Sequence, residues 1–213
     1  PPDFSPLNPP EKGIQLHIKP FEIKPNFERE FFQYTDLNID EDIYANRIEI
    51  EMRPGSHHFL LYSFDENINN SSLPEFDIKR DLRYEDGAYN VEALRTMQYH
   101  EFFTGTQWPR MDYKLPPGVA FKLNSKFGID QNSHYVNRSD TTIIGEVFTN
   151  IHTVDESEVE KVANILNWSN QQILLPPKKV TTLNKTFITD TPIYIGQLFS
   201  HAHEKMTEFV VRI

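Results

Sequence analysis

Residues 45–51 read Ala45-Asn46-Arg47-Ile48-Glu49-Ile50-Glu51, within a strand-like run over 44–52, and polar and apolar side chains partly alternate along it. Because successive side chains of a β-strand point to opposite faces, this alternation is typical of a strand with one buried face. Six other runs have strand-like composition between turns rich in Pro, Gly and Asn: 13–23, 28–34, 57–63, 118–123, 127–136 and 142–153. Many short strands divided by such turns predict an all-β fold, an antiparallel β-sandwich.

Three stretches depart from this pattern. The first ten residues carry five prolines and predict an extended arm over residues 1–12, whereas residues 65–100 are polar and weakly patterned. Beyond Asp155, four apolar residues have helical spacing and Asp155 could cap a helix, which would begin in an acidic turn. An acidic connector followed by a strand over Val162 to Ser169 is the alternative. The four residues are Val159, Val162, Ala163 and Leu166.

Composition excludes several classes of function. The chain has 213 residues, with 21 basic and 31 acidic side chains and a formal net charge of −10. This charge disfavours binding to nucleic acid and to anionic membranes. No apolar stretch approaches the roughly 20 residues that span a bilayer. Cysteine is absent, which excludes disulfides, thiolate metal sites and cysteine nucleophiles.

Histidine carries the most concentrated chemistry. Five of the eight histidines fall in three places: His57-His58, His134 and His201-Ala202-His203. On a strand, His201 and His203 would share one face and could bind one metal ion. Adjacent histidines point to opposite faces, so His57 and His58 can converge only at a strand end or a β-bulge. Pro54-Gly55, directly before the pair, predicts such an irregularity.

Imidazole ligands without cysteine favour copper, zinc or non-haem iron. A site of two histidines and one carboxylate is possible at His201 and His203, although no acidic residue is marked by its spacing. We interpret His17, His100 and His152 as histidines of the surface or the edge of the core.

The ordered histidine blocks resemble a known family. Ser56–Tyr62, with the sequence SHHFLLY, is similar to the His-His block of the copper type II, ascorbate-dependent monooxygenases. Leu115–Phe121 and Asn132–Asn137 resemble the strand pair that carries the third ligand of the first copper site. Ile173–Pro177 resembles the Pro-Pro turn of the second domain, and Phe199–His203 resembles the His-x-His of the second copper site. The likeness extends over residues 13 to 213 and is closest to bacterial members.

The resemblance implies two tandem jelly-roll-like β-sandwich domains, each of which binds one copper ion. The domains would be an arm over 1–12, a first sandwich over 13–153 and the start of an incomplete second sandwich over 154–213. It also favours the strand over Val162 to Ser169. By position, His57, His58 and His134 would bind the electron-transfer copper, and His201 and His203 the catalytic copper.

The family also has a methionine ligand at the catalytic copper. It lies further downstream than Ile213, so we expect this chain to be part of a longer protein. Phe199 stands where peptide-hydroxylating members have an arginine, which disfavours a peptide C-terminus as the substrate.

The implied function is that of a copper-dependent monooxygenase. It would hydroxylate a C–H bond of a small organic substrate with O2 and with ascorbate or a similar one-electron reductant. The alternative is a non-catalytic copper-binding or structural β-sandwich protein, and a zinc-binding module is a third interpretation. The resemblance further predicts an extracytoplasmic protein, periplasmic or secreted, whose signal peptide is not in this chain.

Overall fold

Among the residues that the structure describes, 43% lie in strands and 7% in helices, which confirms the predicted all-β class. The structure, a computed structural model, describes residues 4–170, 172–198 and 206–212. Within these residues the strands are β1 (Gly13–Ile23), β2 (Phe27–Thr35), β3 (Ile43–Met52), β4 (Ser56–Phe64), β5 (Lys79–Asp81), β6 (His100–Thr106), β7 (Arg110–Lys114), β8 (Val119–Leu123), β9 (Ile129–Asn137), β10 (Ile143–Val154) and β11 (Lys161–Ala163).

The strands form two sheets. The first has the order β1-β10-β3-β8-β11, and β7 also pairs with β3. The second has the order β5-β2-β9-β4-β6. The paired strands run antiparallel, with the exception of β11, which runs parallel to β8. In the second sheet β9 is therefore the central strand, with β2 on one side and β4 on the other.

One hydrophobic core joins the inner faces of the two sheets. Phe21 of the first sheet meets Phe31 of the second edge to face, with ring centroids 4.8 Å apart. Phe121 and Phe103 make a similar contact at 5.3 Å. Burial of each such side chain contributes about 1.5–3 kcal/mol, so this core holds the sheets together in a β-sandwich-like arrangement.

The segment between β4 and β6 packs on part of the outer face of the second sheet. It contains a short helix α1 (Val91–Arg95) and 3₁₀ turns at Asn70–Ser72 and Thr96–Tyr99. A satellite cluster of Tyr34, Phe64, Ile68 and Phe127 lies beneath it. The weak pattern over residues 65–100 hid β5 and the start of β6, because these strands do not alternate clearly in polarity.

The acidic segment after β10 forms one 3₁₀ turn at Glu156–Glu158, in which the carboxylate of Glu158 accepts a hydrogen bond of 3.0 Å from the backbone N–H of Asp155. The helix suggested by the apolar spacing beyond it is wrong. The segment forms β11 instead, and this strand ends at Ala163, well before Ser169.

The chain divides into two compact units, Pro1–Ile165 and Leu166–Ile213. In the second unit, none of the residues 166–170, 172–198 and 206–212 lies in a helix or strand. Trp168 and Phe187 stack there with ring centroids 5.3 Å apart. No helix among the described residues is long and apolar enough to cross a membrane. The predicted domain boundaries, and a second sandwich above all, stay predictions.

Candidate metal centre

The centre of the candidate site is β9, whose side chains alternate between the two faces of the second sheet. Tyr135 points into the hydrophobic core. His134 and Asn132 therefore belong to the outer face. In the β4–β9 pairing His58 lies directly opposite His134, so both histidines are on this outer face.

A β-bulge brings the third histidine to the same place. Ser56 pairs with Tyr135 and His58 pairs with His134, so His57 is an extra residue on β4. In a regular strand His57 would share the inward face of Phe59, but a bulge redirects the side chain of the extra residue. The irregularity that the sequence predicted near Pro54-Gly55 is confirmed.

Gly55 prepares this bulge. Its φ of +99° lies in a region that L-residues rarely adopt, and its carbonyl accepts a hydrogen bond of 3.2 Å from the N–H of Val136. A Cβ atom at this position would lie 2.8 Å from Cδ1 of Ile143. The turn therefore requires glycine, and it fixes where β4 begins relative to β9.

The three imidazoles converge. Ring centroids are 5.4 Å apart for His57 and His58, 4.9 Å for His57 and His134, and 4.7 Å for His58 and His134. One ring nitrogen from each histidine lies within 4.8 Å of those of the other two. His58 and His134 are each 7% exposed, whereas His57 is exposed. Small side-chain rotations would place each of the three nitrogens roughly 2.0–2.1 Å from a common metal ion, which is the usual distance between a metal and an imidazole nitrogen.

His134 has the hydrogen bonding of a metal ligand. Its Nε2 lies 2.8 Å from Oε1 of Glu28. Its Nδ1 is buried and has no hydrogen-bond partner within the described part of the chain. Burial lowers the pKa of His134, against the opposing charges of Glu30 and Glu28, and so favours the neutral imidazole that a metal needs. This Nδ1 atom, which has no partner within that part of the chain, is therefore available to bind a metal ion.

Acidic groups surround the cluster on the side of β2. The carboxylate of Glu30 lies 3.6 Å from Nε2 of His58. Burial raises the pKa of Glu30, but the neighbouring imidazoles of His58 and His134 and the amide of Asn132 outweigh it, and the net pKa is lowered. With Glu28, two carboxylates thus face three imidazoles, an electrostatic setting that favours a cation.

The remaining described histidines lie elsewhere, each against a carboxylate. His17 lies 3.0 Å from Glu146, His100 lies 2.8 Å from Asp130 and His152 lies 2.5 Å from Glu49. These contacts account for the three side chains without a metal ion. His201 and His203 lie outside the described residues, so their common face and their copper site stay predictions.

Sequence reasoning missed Glu28, Glu30 and Asn132. Glu28 and Glu30 are two residues apart on β2, and Asn132 is two residues before His134, so each has the spacing of a shared strand face. The sequence shows that spacing. It does not show the register of β2 against β9, which places Glu30 opposite His134.

Comparison with known proteins adds no relative. No protein-family model matches the chain, and a search of curated proteins found no significant match.

Proposed function

We propose that this chain binds copper through His57, His58 and His134 and forms the electron-transfer part of a copper-dependent monooxygenase. The single observation that supports the proposal is the convergence of three imidazoles, two of them buried, at a β-bulge. A strand pair alone would bring only His58 and His134 together. The bulge displaces His57 from the inward face that it would occupy in a regular strand.

The donor set favours copper. Three imidazoles without a thiolate or a carboxylate ligand suit a divalent metal late in the Irving–Williams order, in which copper binds most tightly. Bound copper would accept one electron from a reductant and pass it on. The chain's part is to hold the ligands so close together that little rearrangement accompanies the change of charge.

Zinc would suit the same ligands with water as a fourth, so metal preference has to be measured.

The full proposal follows the family resemblance. The chain would form two tandem jelly-roll-like domains with a catalytic copper at His201 and His203. The enzyme would hydroxylate a C–H bond of a small organic substrate outside the cytoplasm, with O2 and ascorbate or an equivalent reductant.

A non-catalytic copper-binding protein is the second candidate. Among the described residues one group of His, Asp and Glu side chains has the spacing of a metal site, and it includes the exposed His57. One such accessible site is sufficient for copper binding or transfer without oxygen chemistry.

The test is a titration of the metal-free protein with Cu(II), and with Cu(I) under anaerobic conditions, in competition with a chelator of known affinity. We expect His134→Ala to weaken binding at the first site by at least tenfold, since loss of an outer-shell partner alone costs ~10–100-fold. His152→Ala is the matched control, because His152 also contacts a carboxylate but lies outside the cluster. Equal copper affinity in the wild type and His134→Ala would rule out the site.

Enzyme and binding protein are then separated by activity. Ascorbate-dependent oxygen uptake coupled to substrate hydroxylation, measured on the longest natural chain, would support the monooxygenase. Tight copper binding without such turnover would support the second candidate. Preference for Zn(II) over copper in the same competition would support neither.

A further inference from the structure

We infer that Glu28, Asn132 and Glu30 are positioning residues that hold the proton of His134 and His58 on Nε2, so that both Nδ1 atoms are the metal ligands. We further infer that the two carboxylates make the site bind Cu(II) more tightly relative to Cu(I). The first part concerns the metal-free protein. The second part rests on the proposed copper function.

The tautomer of His134 is set by its contact with Glu28. Glu28 Oε1 lies 2.8 Å from Nε2, and an ionised carboxylate can only accept a hydrogen bond. The proton is therefore on Nε2, and the lone pair is on Nδ1. That atom is buried without a hydrogen-bond partner in the described part of the chain, as expected of an atom reserved for another ligand.

The tautomer of His58 is set through the side-chain amide of Asn132. Asn132 Nδ2 lies 3.1 Å from Glu30 Oε1 and 3.4 Å from the carbonyl oxygen of Phe31. Both partners are acceptors, so the amide nitrogen must face them. The amide oxygen of Asn132 then faces Nε2 of His58 at 2.9 Å. Because that oxygen only accepts, His58 also has its proton on Nε2 and its lone pair on Nδ1.

The two carboxylates differ in exposure. The side chain of Glu30 is 27% exposed and that of Glu28 is 54% exposed. Negative charge next to the ligands stabilises Cu(II) more than Cu(I), because the interaction grows with the charge of the ion. Hydrogen bonds from the imidazoles to acidic partners also make the ligands more basic. Glu30 is the better shielded charge, so we expect it to have the larger effect at moderate salt.

The positioning is tested without metal, by ¹⁵N NMR of the histidine rings in the whole chain at pH 8. We expect His58 and His134 both to be protonated on Nε2. Asn132→Ala should release His58 into a mixture of tautomers and leave His134 unchanged, and Glu28→Ala should do the reverse. This crossed pattern is not expected of a general structural defect. Protonation of either ring on Nδ1 in the wild type, or variants that change both rings alike, would overturn the inference.

The effect on copper is tested with Glu30→Gln, which keeps an oxygen for Asn132 but removes the charge. We expect the ratio of Cu(II) to Cu(I) affinity to fall on the order of tenfold. Glu49→Gln is the control, since Glu49 is also a carboxylate next to an imidazole, that of His152, but lies outside the cluster. An unchanged ratio in Glu30→Gln overturns the charge effect.

The two failures are distinguishable. If the wild type binds no copper, both the proposed function and the proposed charge effect are refuted. The NMR result still decides the positioning on its own.

Discussion

His58 and His134 face each other as a cross-strand pair of β4 and β9, with ring centroids 4.7 Å apart. The backbone ladder fixes this pair before any metal is present. His57 differs, because its position depends on the bulge and therefore on the turn at Gly55. The three histidines are thus held in place in two ways, by strand pairing and by the bulge, and each can be removed separately.

The first prediction concerns the turn at Gly55. Gly55→Ala should destabilise the protein by about 1 kcal/mol or more and weaken copper binding, because an L-residue is strained at φ +99° and its Cβ would meet Ile143. Urea unfolding and copper titration measure the two effects.

Gly87→Ala is the matched control for the turn. Gly87 has φ +84°, but a Cβ atom added there would meet no atom of the described residues within 4 Å, so we expect strain without loss of copper affinity. Equal copper affinities in both glycine variants would contradict the role of the turn.

The second prediction concerns the buried ion pair next to the site. Asp130 is fully buried and accepts two hydrogen bonds from Arg80, at 2.5 and 2.6 Å, and its other contact is with His100. Asp130→Asn should destabilise the protein by about 3–5 kcal/mol, because the charge of Arg80 would stay buried without its partner. Urea unfolding of the metal-free protein measures this.

The exposed pair of Lys24 and Glu85 is the control for the ion pair. Glu85→Gln should leave the unfolding midpoint unchanged, since exposed ion pairs contribute little. A loss of stability in Glu85→Gln equal to that in Asp130→Asn would contradict the explanation by burial.

The third prediction concerns alkaline pH. Burial, with the charges of Glu30 and Asp130, raises the pKa of Tyr62 to about 12, from 10.0. Above pH 10 the unfolded chain ionises this phenol first, so the contribution of Tyr62 is complete below pH 10 and is lost as the pH rises towards 12. Tyr62→Phe should therefore flatten the decline in stability between pH 10 and 12. Unfolding midpoints at several pH values measure it, with Tyr84→Phe at an exposed position as the control, and an unchanged slope in Tyr62→Phe would contradict the prediction.

Much of the fold was predictable from the sequence because the long strands alternate in polarity between clear turns. β1 was expected over residues 13–23 and forms over Gly13–Ile23. β7 was missed because Arg110–Lys114 is only five residues long and its inward face is only half-buried. The helical spacing beyond Asp155 does not correspond to a helix, because a short apolar repeat is compatible with both the helical and the strand period. Pairing with β8 stabilises a strand there instead.

The candidate site was predictable only in its histidines. The motif named His57, His58 and His134, and strand geometry required a bulge to unite them. Glu28 and Glu30 could not be assigned, because their place beside His134 depends on the register of β2 against β9. Register is a long-range property, set by packing of the whole sheet, and local patterns do not contain it.

The fourth prediction concerns the second copper site. His201 and His203 should share one face of a strand and bind a second copper ion, although both lie outside the described residues. Two imidazoles without a thioether ligand should bind copper weakly, because soft ligands favour Cu(I). His201→Ala with His203→Ala should therefore abolish only a weak second binding step, seen in a copper titration.

The first site should be insensitive to that double change, because its ligands and their acidic partners all lie between Glu28 and His134. Substrate hydroxylation by residues 1–213 should be negligible. Robust turnover by residues 1–213 would contradict this account, as would weaker binding at the first site in the double variant. The first result would mean that two imidazoles suffice for catalysis, and the second that the two copper sites are coupled.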